Sequence, residues 1–263
     1  MPTSTSEMLS NYLRFSQLRF GAYNTNKLDL SAISWFQPTL LLPLGLHIKQ
    51  NPDIDVILPS DPDVNNYFNI IMETGSAGHA KTYIPIIKLP KIKEESHAIL
   101  CELNPYAAND CGGITALQCF VGELSDNIYQ HSEFSTAYIM SQRYPKSGFL
   151  EFCIIDNGIS IPCSYKNAGI LTRDDKMALD YALDGVSTKG NTERGTGLRD
   201  SIKVLTYLLG GECLIVSRQG KLLANKAGRD TSNINKKDIY DGTLIGIRVP
   251  FQRSKVNIYD VIS

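Results

Sequence analysis

The segment from Ile114 to His131 constrains the fold of this chain more than any other stretch. Its apolar residues recur every three or four positions, which predicts an amphipathic helix that packs one face on a core. Glu123 and Asn127 lie off this stripe, and at four residues' separation they project from the same flank one turn apart. A carboxylate and an amide in one volume of space suit a cation and a water molecule. A solvated helix edge would carry the same pair, so the surrounding sequence has to decide.

The composition is that of a globular protein. Its 263 residues, 43% of them hydrophobic, suffice for one large domain or two ordinary ones. The net charge of -1 gives no general attraction to nucleic acid or to an anionic membrane surface. The 6 cysteines form no CxxC pair, which predicts reduced, buried thiols rather than a disulfide frame or a zinc site. No stretch resembles a membrane span or a signal-peptide core. We therefore expect a cytoplasmic protein.

The N-terminal part predicts a small α/β unit, because strand-like runs alternate with helical segments. A short helix near residues 8–18, ended by Gly21, comes first. Strand-like runs then occupy 28–31 and 54–58, and helical segments occupy 35–49 and 61–75. The charged run 91–95 ends this unit. The sequence therefore predicts two domains, 1–95 and 96–263.

Two strand-like runs follow the predicted helix and flank a short turn, which predicts a hairpin over 135–144 and 148–156. The second run becomes continuously apolar toward its end, as expected of a central strand. It stops at Asp156-Asn-Gly158, a turn signature that leaves a carboxylate at the mouth of the sheet. A carboxylate in that position can accept a hydrogen bond from an exocyclic amine such as that of adenine.

The connection 159–194 is longer than an ordinary loop and carries one predicted helix, at 173–183. A connection of this length is either a lid or a disordered insertion. The turn Gly195-Thr-Gly197-Leu198 then opens a helix, so that backbone N–H groups can meet phosphate oxygens at close approach. Three strand-like runs follow, at 213–217, 222–224 and 243–251. A polar, locally basic loop precedes the last of them and contains Lys226, Arg229, Lys236 and Lys237.

Four signals now stand in order: the Glu123 and Asn127 pair, Asp156 with Gly158, the Gly195 to Leu198 turn, and Gly242-Thr243. In order, spacing and placement, the residues from about 97 to 255 resemble the GHKL superfamily of ATP-binding domains, which includes gyrases, heat-shock chaperones, histidine kinases and mismatch-repair proteins. The resemblance implies the Bergerat fold, a two-layer α+β sandwich with helices covering one side of a mixed sheet. It also implies ATP and Mg²⁺ bound between the helices and a mobile lid.

The same resemblance implies a role for each matched residue. Glu123 matches the general base, and Asn127 matches the Mg²⁺ ligand. Asp156 matches the adenine-binding carboxylate, Gly158 gives room for the base, and Thr243 reads adenine through a water molecule. The phosphate side of the site is assigned to the later turn, with Gly195, Thr196, Gly197 and Leu198.

Other polar residues near these signals stay open between two roles. Lys189 either reaches the γ-phosphate when the lid closes or remains solvated, and Arg194 is a second candidate phosphate ligand. His131 lines the pocket or caps its helix. Asp126 orients its neighbours or faces solvent. The basic residues between 221 and 237 read as a solvated loop in preference to a nucleic-acid contact, given the charge balance.

The first unit resembles a STAS domain, the fold of anti-sigma-factor antagonists, in its succession of strand, helix, strand and helix. Joined to a GHKL domain, it implies a bacterial partner-switching regulator, and hence a protein partner or a homo-oligomer. The sequence departs from the STAS pattern at the start of the first helix, where Trp35-Phe-Gln-Pro38 stands in place of a phosphoacceptor serine. Ser31 and Ser34 lie nearby.

The acidic first residue of Glu123-Leu-Ser-Asp-Asn127 favours anti-sigma-factor serine kinases over the histidine-kinase branch. We therefore predict a regulatory protein that uses Mg-ATP for hydrolysis or for phosphotransfer to serine or threonine. The alternative is a switch in which ATP orders residues 159–194 and exposes or hides a partner surface with little or no turnover. A third hypothesis is a degenerate scaffold, against which the intact carboxylate, asparagine and glycines argue.

Overall fold

The computed structural model describes residues 4–72, 82–101, 110–188, 197–252 and 256–257. In chain order its strands are β1 (Lys27–Asp29), β2 (Asp55–Ile57), β3 (Tyr83–Lys88), β4 (Ala137–Tyr144), β5 (Phe149–Asp156), β6 (Glu212–Arg218), β7 (Gly220–Asn225), β8 (Gly228–Asn233) and β9 (Tyr240–Pro250). Its α-helices are α1 (Ser4–Thr25), α2 (Pro38–Gln50), α3 (Pro62–Met72), α4 (Lys93–Cys101), α5 (Ile114–His131), α6 (Ile161–Asn167), α7 (Asp175–Asp184) and α8 (Gly197–Lys203). A π-helical turn, Val204–Leu208, continues α8, and a 3-10 turn, Lys236–Asp238, precedes β9.

Strands β3 to β9 form one seven-stranded sheet in the order β3-β4-β5-β9-β6-β7-β8, and β1 and β2 form a small parallel pair. Every neighbouring pair in the larger sheet is antiparallel. The protein therefore belongs to the α+β class, as predicted, but the expected mixed sheet is wrong. The reason is connectivity. Short turns join β4 to β5, β6 to β7, and β7 to β8, and strands joined by a short turn can pair only in the antiparallel direction.

One face of the sheet is covered by α5, α7 and α8. Leu124 and Ile128 of α5, Leu179 of α7 and Ile202 of α8 are buried in one apolar cluster with the inward residues of the strands. The predicted apolar stripe of α5 is thus the face that meets the sheet over its described side chains, from Val121 onward. The opposite flank of α5 is left to face the space between the helices.

The other face of the sheet is covered by α1 and α2. Residues 38–46 of α2 are all buried, as expected of a helix held between a sheet and a second helix. Arg248 of β9, which is 7% exposed, donates to Glu151 of β5 at 2.8 Å and to Glu7 of α1 at 2.9 Å. Helices therefore lie on both faces, rather than on the single face that the resemblance implies. The predicted division at residue 95 stays a prediction, and β3, on its N-terminal side, pairs with β4 beyond it.

Some elements differ from their predicted bounds. Helix α1 continues to Thr25 instead of ending at Gly21, where a Cβ would meet nothing within 4 Å and the helix simply faces solvent. The charged run 91–95 leads into α4. The connection after β5 contains α6 as well as the predicted helix, and β8 occupies part of the predicted polar loop.

The structure also bears on the cysteines and on membrane-spanning helices. The four cysteines whose side chains the structure describes, Cys111, Cys153, Cys163 and Cys213, are free thiols, and all but Cys163 are buried. In the portion of the chain that the structure describes, no helix combines the length and the apolar character needed to cross a membrane.

Candidate functional site

A cavity lies between α5, the neighbouring ends of β5 and β9, the α6–α7 connection and the start of α8. It encloses about 200 Å³. Six of the residues predicted from the sequence line it together: Glu123, Asn127, Asp156, Gly197, Leu198 and Thr243. The remaining wall is largely apolar and includes Ile128, Ile159, Ile161, Ala182 and Ile245. Residues from four separate elements of the fold therefore converge on one apolar cavity with a few polar groups, which is the usual build of a small-molecule site.

Glu123 and Asn127 enter the cavity from the exposed flank of α5, because Leu124 and Ile128 hold the other flank on the sheet. Gly197, the first residue of α8, lies directly against the Glu123 carboxylate. A Cβ at this position would overlap Glu123 Oε2. Glycine at 197 is therefore what allows the carboxylate and the start of α8 to come this close.

The charges around Glu123 change its acidity. Burial raises the pKa of Glu123 above its usual value, Asp126 and Asp200 raise it further, and Lys93 lowers it. Lys93 itself pairs with Asp126, at 2.8 Å between Nζ and Oδ1. Asp126 thus has a structural partner and acts on Glu123 through its charge. A carboxylate with a raised pKa is a stronger base close to neutral pH.

Asp156 ends β5 at the opposite side of the cavity and is only 1% exposed. Its Oδ1 accepts a hydrogen bond from the Gly158 N–H at 2.9 Å, and its main-chain oxygen accepts one from the Tyr240 hydroxyl at 2.8 Å. Burial raises the pKa of the Asp156 carboxyl to about 7, although the Gly158 N–H favours the charged form. Asp156 is therefore a fixed acceptor with one oxygen already engaged.

Two glycines hold the main chain close around Asp156. A Cβ at Gly158 would overlap the main-chain oxygen of Ser132, just after α5, and a Cβ at Gly242 would overlap the main-chain oxygen of Asp156. The need for glycine at position 158 thus has an explanation that involves no ligand, because the turn after β5 packs against the end of α5. A side chain at either position would push main chain apart.

Thr243 faces Asp156 directly across the β5–β9 pair, and Ser217 of β6 faces Thr243 from the other side. Thr243 Oγ1 lies 2.9 Å from Ser217 Oγ. Ser217 is not among the site residues predicted from the sequence, where it is an ordinary serine near the end of an apolar strand. Its relation to Thr243 comes from the strand register, which has no local signal.

His131 also lines the cavity, and its Nδ1 lies 3.4 Å from Thr188 Oγ1. Its main-chain oxygen accepts from the Ser164 hydroxyl at 3.3 Å. The imidazole therefore faces the cavity, in addition to its place in the last turn of α5. Four of the predicted site residues, Lys189, Arg194, Gly195 and Thr196, lie outside the described residues.

Glu123 and Asn127 supply oxygen donors that suit a metal ion bound together with a ligand. Within the described ranges, no group of three or more histidine, cysteine, aspartate or glutamate side chains is arranged to hold a metal. Asn127 and Glu123 offer hard oxygen atoms beside one another, and Mg²⁺ typically takes one or two protein ligands and completes its shell with water and phosphate oxygens. The donor set therefore fits Mg²⁺ held jointly with a phosphate ligand.

Comparison of the chain with protein-family models, with curated proteins and with solved structures gives no match in any of the three. The chemistry of the site must therefore be inferred from the residues of the cavity themselves.

Proposed function

We propose that the protein binds Mg-ATP in this cavity and uses it for ATP hydrolysis or for phosphotransfer to a serine or threonine. One observation carries the proposal: Glu123, Asn127, Asp156, Gly197 and Thr243, chosen from sequence for nucleotide chemistry, line the same cavity. A solvated helix edge, the alternative for the Glu123 and Asn127 pair, would have left them apart from the buried carboxylate. The convergence is what an ATP site of the GHKL type requires.

The strand side of the cavity suits adenine. Asp156 offers an acceptor for the exocyclic amine, and the Thr243 hydroxyl beside it offers a donor for the ring nitrogen. Ile128 and Ile245 supply apolar surface for the faces of the ring. A base in this position would bury its apolar area while its polar edge finds partners, which is the balance that small-molecule sites require.

The helix side suits the phosphates and the reacting oxygen. Asn127 would hold a magnesium ion through its amide oxygen, and the ion would neutralise charge on the phosphates. Glu123 would orient the attacking water or hydroxyl and take its proton, a role that its raised pKa favours near neutrality.

The fold supports a Bergerat-like arrangement in its coarse features. Helices α5, α7 and α8 lie on one face of the sheet, and the cavity opens between α5 and the α6–α7 connection. The fully antiparallel sheet and the second helical face depart from that arrangement. For the first unit, β1 and β2 are parallel with α2 between them, which supports a STAS-like interpretation over this short stretch.

Incubation with ATP labelled at the γ-phosphate tests the proposal. Wild-type protein is expected to release labelled phosphate or to carry acid-stable label on serine or threonine, and Glu123→Ala is expected to do neither above background. Glu133→Ala is the matched control, because Glu133 is an exposed carboxylate just beyond α5. Unchanged turnover in Glu123→Ala would show that the assigned base is wrong.

A second function, an ATP-dependent switch that binds a protein partner, is favoured by the position of the residues that follow α7. Helices α6 and α7 are folded and α7 packs on the sheet, so residues 161–184 are not a disordered insertion. Gly185 ends α7 in a left-handed conformation, and the next residues, Val186, Ser187 and Thr188, line the cavity. A bound nucleotide would therefore contact the chain just beyond α7.

Limited proteolysis with and without Mg-ATP distinguishes this second function. We expect nucleotide to protect bonds after Gly185 while leaving cleavage elsewhere unchanged, including in the Glu123→Ala variant. Identical digestion patterns in the presence and absence of nucleotide would remove the switch from consideration.

A further inference from the structure

Three polar side chains form a row across the central strands of the sheet. Ser217 of β6, Thr243 of β9 and Asp156 of β5 are direct register partners, so all three project from the same face. Asp156 and Thr243 line the cavity, whereas Ser217 is fully buried beside Thr243. A buried hydroxyl in an otherwise apolar strand needs hydrogen-bond partners, and the identity of those partners fixes which way its proton points.

The hydrogen bonds of Ser217 can be followed atom by atom. Its Oγ accepts the N–H of Ile161, the first residue of α6, at 2.9 Å. The Ser217 hydroxyl has two acceptors within reach, Thr243 Oγ1 at 2.9 Å and the Gly242 main-chain oxygen at 3.4 Å. The shorter separation favours a hydrogen bond donated by Ser217 to Thr243. When Thr243 accepts this hydrogen bond, its own hydroxyl proton points away from Ser217 and can be donated into the cavity.

The same stretch of β6 and β7 anchors the start of both helices of the α6–α7 connection. Beyond the Ser217 bond to Ile161, the Gln219 N–H donates to Asp175 Oδ2 at 2.9 Å, and Asp175 is the first residue of α7. Gly220 packs on the same residue, where a Cβ would approach the Asp175 main-chain oxygen to 2.7 Å. Ser217 therefore joins a fixed wall of the cavity to the side chain that faces the base.

We propose that Ser217 is a positioning residue for base recognition, which holds the Thr243 hydroxyl as a donor into the cavity and ties it to the start of α6. The inference rests on the proposed function. With Thr243 donating and Asp156 accepting, the edge matches adenine, which offers an amine donor and an N1 acceptor. Guanine offers an O6 acceptor and an N1–H donor in the reverse order, so the same edge rejects it.

Equilibrium binding of three nucleotides tests this role: Mg-ATP, Mg-GTP and an ATP analogue whose adenine N1 is replaced by C–H. Ser217→Ala is expected to weaken ATP binding by roughly 2- to 10-fold, the range for one neutral hydrogen bond, and to leave GTP binding unchanged. Wild type is expected to bind the analogue more weakly than ATP. Ser217→Ala is expected to discriminate less between the two, because the Thr243 hydroxyl is no longer held toward N1.

Two further variants separate positioning from folding. Thr206→Ala also deletes a buried hydroxyl, which donates to the Ile202 main-chain oxygen at 2.8 Å in a helical turn outside the cavity lining. It should lower the unfolding temperature without changing the ATP-to-analogue ratio. Ser217→Cys keeps a hydrogen-bonding atom in place and is expected to lie between wild type and Ser217→Ala in that ratio, which answers the question if Ser217→Ala does not fold.

The outcomes distinguish this inference from the function on which it rests. If wild-type protein binds none of the nucleotides, the proposed function fails. If wild type binds ATP and both Ser217 variants keep the wild-type ratio of ATP to analogue affinity, the function stands and the positioning role is overturned. Equal loss of ATP and GTP affinity in both variants would likewise overturn it, since that pattern reports a general structural defect.

Discussion

The two ends of the cavity are built in different ways. At the strand side, the proposed base end, Asp156, Thr243 and Ser217 sit on neighbouring strands, are 1%, 8% and 0% exposed, and are held by hydrogen bonds within the protein. At the helix side, the proposed phosphate end, Glu123 and Asn127 lie on the flank of α5 and are only partly buried. Their neighbours Lys93, Asp126 and Asp200 act through charge rather than through direct bonds to Glu123.

This difference assigns separate tasks to the two ends. A preorganised edge of fixed donors and acceptors is suited to recognition, because little ordering is required when the ligand binds. A base that is poised by burial and surrounding charge is suited to proton transfer, because its pKa can be set by its environment. Substitutions at the base end should therefore change affinity, and substitution of Glu123 at the phosphate end should change turnover.

The largest effect is expected for Glu123→Gln, which keeps the shape of the side chain and removes its basicity. Loss of a general base costs about 10²- to 10⁴-fold in rate. We expect turnover to fall within this range while ATP affinity stays within about threefold of wild type, measured by phosphate release and by equilibrium binding. If ATP affinity fell as much as turnover, the two ends of the cavity would not have separate tasks.

The next effect is expected for Gly197→Ala, whose Cβ would overlap Glu123 Oε2. The displaced carboxylate would no longer meet the reacting oxygen, and misplacement of about 1 Å can cost about 10²-fold in rate. Thermal unfolding should be little changed, because the flexible end of one side chain yields rather than main chain. Gly122→Ala is the matched control: it neighbours Glu123 on α5, and its Cβ would meet nothing within 4 Å.

The Gly197 prediction fails if Gly122→Ala and Gly197→Ala retain equal turnover. It also fails if Gly197→Ala loses ATP affinity as strongly as it loses turnover, since the displaced group belongs to the end that carries the chemistry.

Asp156→Asn is expected to weaken ATP binding by roughly 5- to 150-fold, the range for leaving a buried polar group mispaired. The Gly158 N–H requires an acceptor at Oδ1, so the asparagine oxygen must take that place and its NH₂ group turns to the cavity. A donor would then face the amine of adenine. Competition binding against labelled ATP measures the loss, and unchanged affinity would remove Asp156 from base recognition.

The same variant has a stability consequence with a defined sign. The pKa of Asp156 is raised from 3.8 to about 7, so the unfolded chain ionises at lower pH than the folded protein. Wild-type stability should therefore fall as pH rises from about 4 to 7, and the loss should be complete above 7. Asp156→Asn lacks this loss, so its stability relative to wild type should be greater at pH 8 than at pH 5, by urea unfolding at both values.

The smallest effects are expected from the charges around Glu123. Because turnover requires the Glu123 carboxylate, it should rise with pH through the pKa of this group. Lys93→Gln removes a charge that lowers this pKa and should move the acid limb of the pH profile upward, whereas Asp200→Asn should move it downward. Each shift should be below about one pH unit for partly exposed charges. An unmoved limb in both variants would mean that the limb reports another group.

Much of the site was accessible from the sequence because its signals are local. Glu123 and Asn127 share a helical flank by spacing alone, and Asp156 and Thr243 sit at a strand end and near a strand start, respectively, marked by Gly158 and Gly242. What no local signal contains is the pairing of β9 between β5 and β6, which brings Thr243 beside Asp156. Ser217 was missed for the same reason, since only the register gives it a partner.

The fold was predicted best where one face of an element is buried. The hairpin of β4 and β5 and helix α5 follow from their apolar patterns. Strand β8 was missed because it lies at the sheet edge and is polar along its length, so no alternation marks it. Helix α6 does carry a local signal in the sequence: Ser160 caps it by accepting from the Cys163 N–H, and Pro162 lies in its first turn.

Equilibrium dialysis of the wild-type protein against labelled ATP, with magnesium and with excess chelator, tests the central claim most directly. The account predicts one saturable site per chain that weakens when magnesium is removed, because Asn127 would share the ion with the phosphates. Absence of saturable binding at millimolar nucleotide in the presence of magnesium would contradict it.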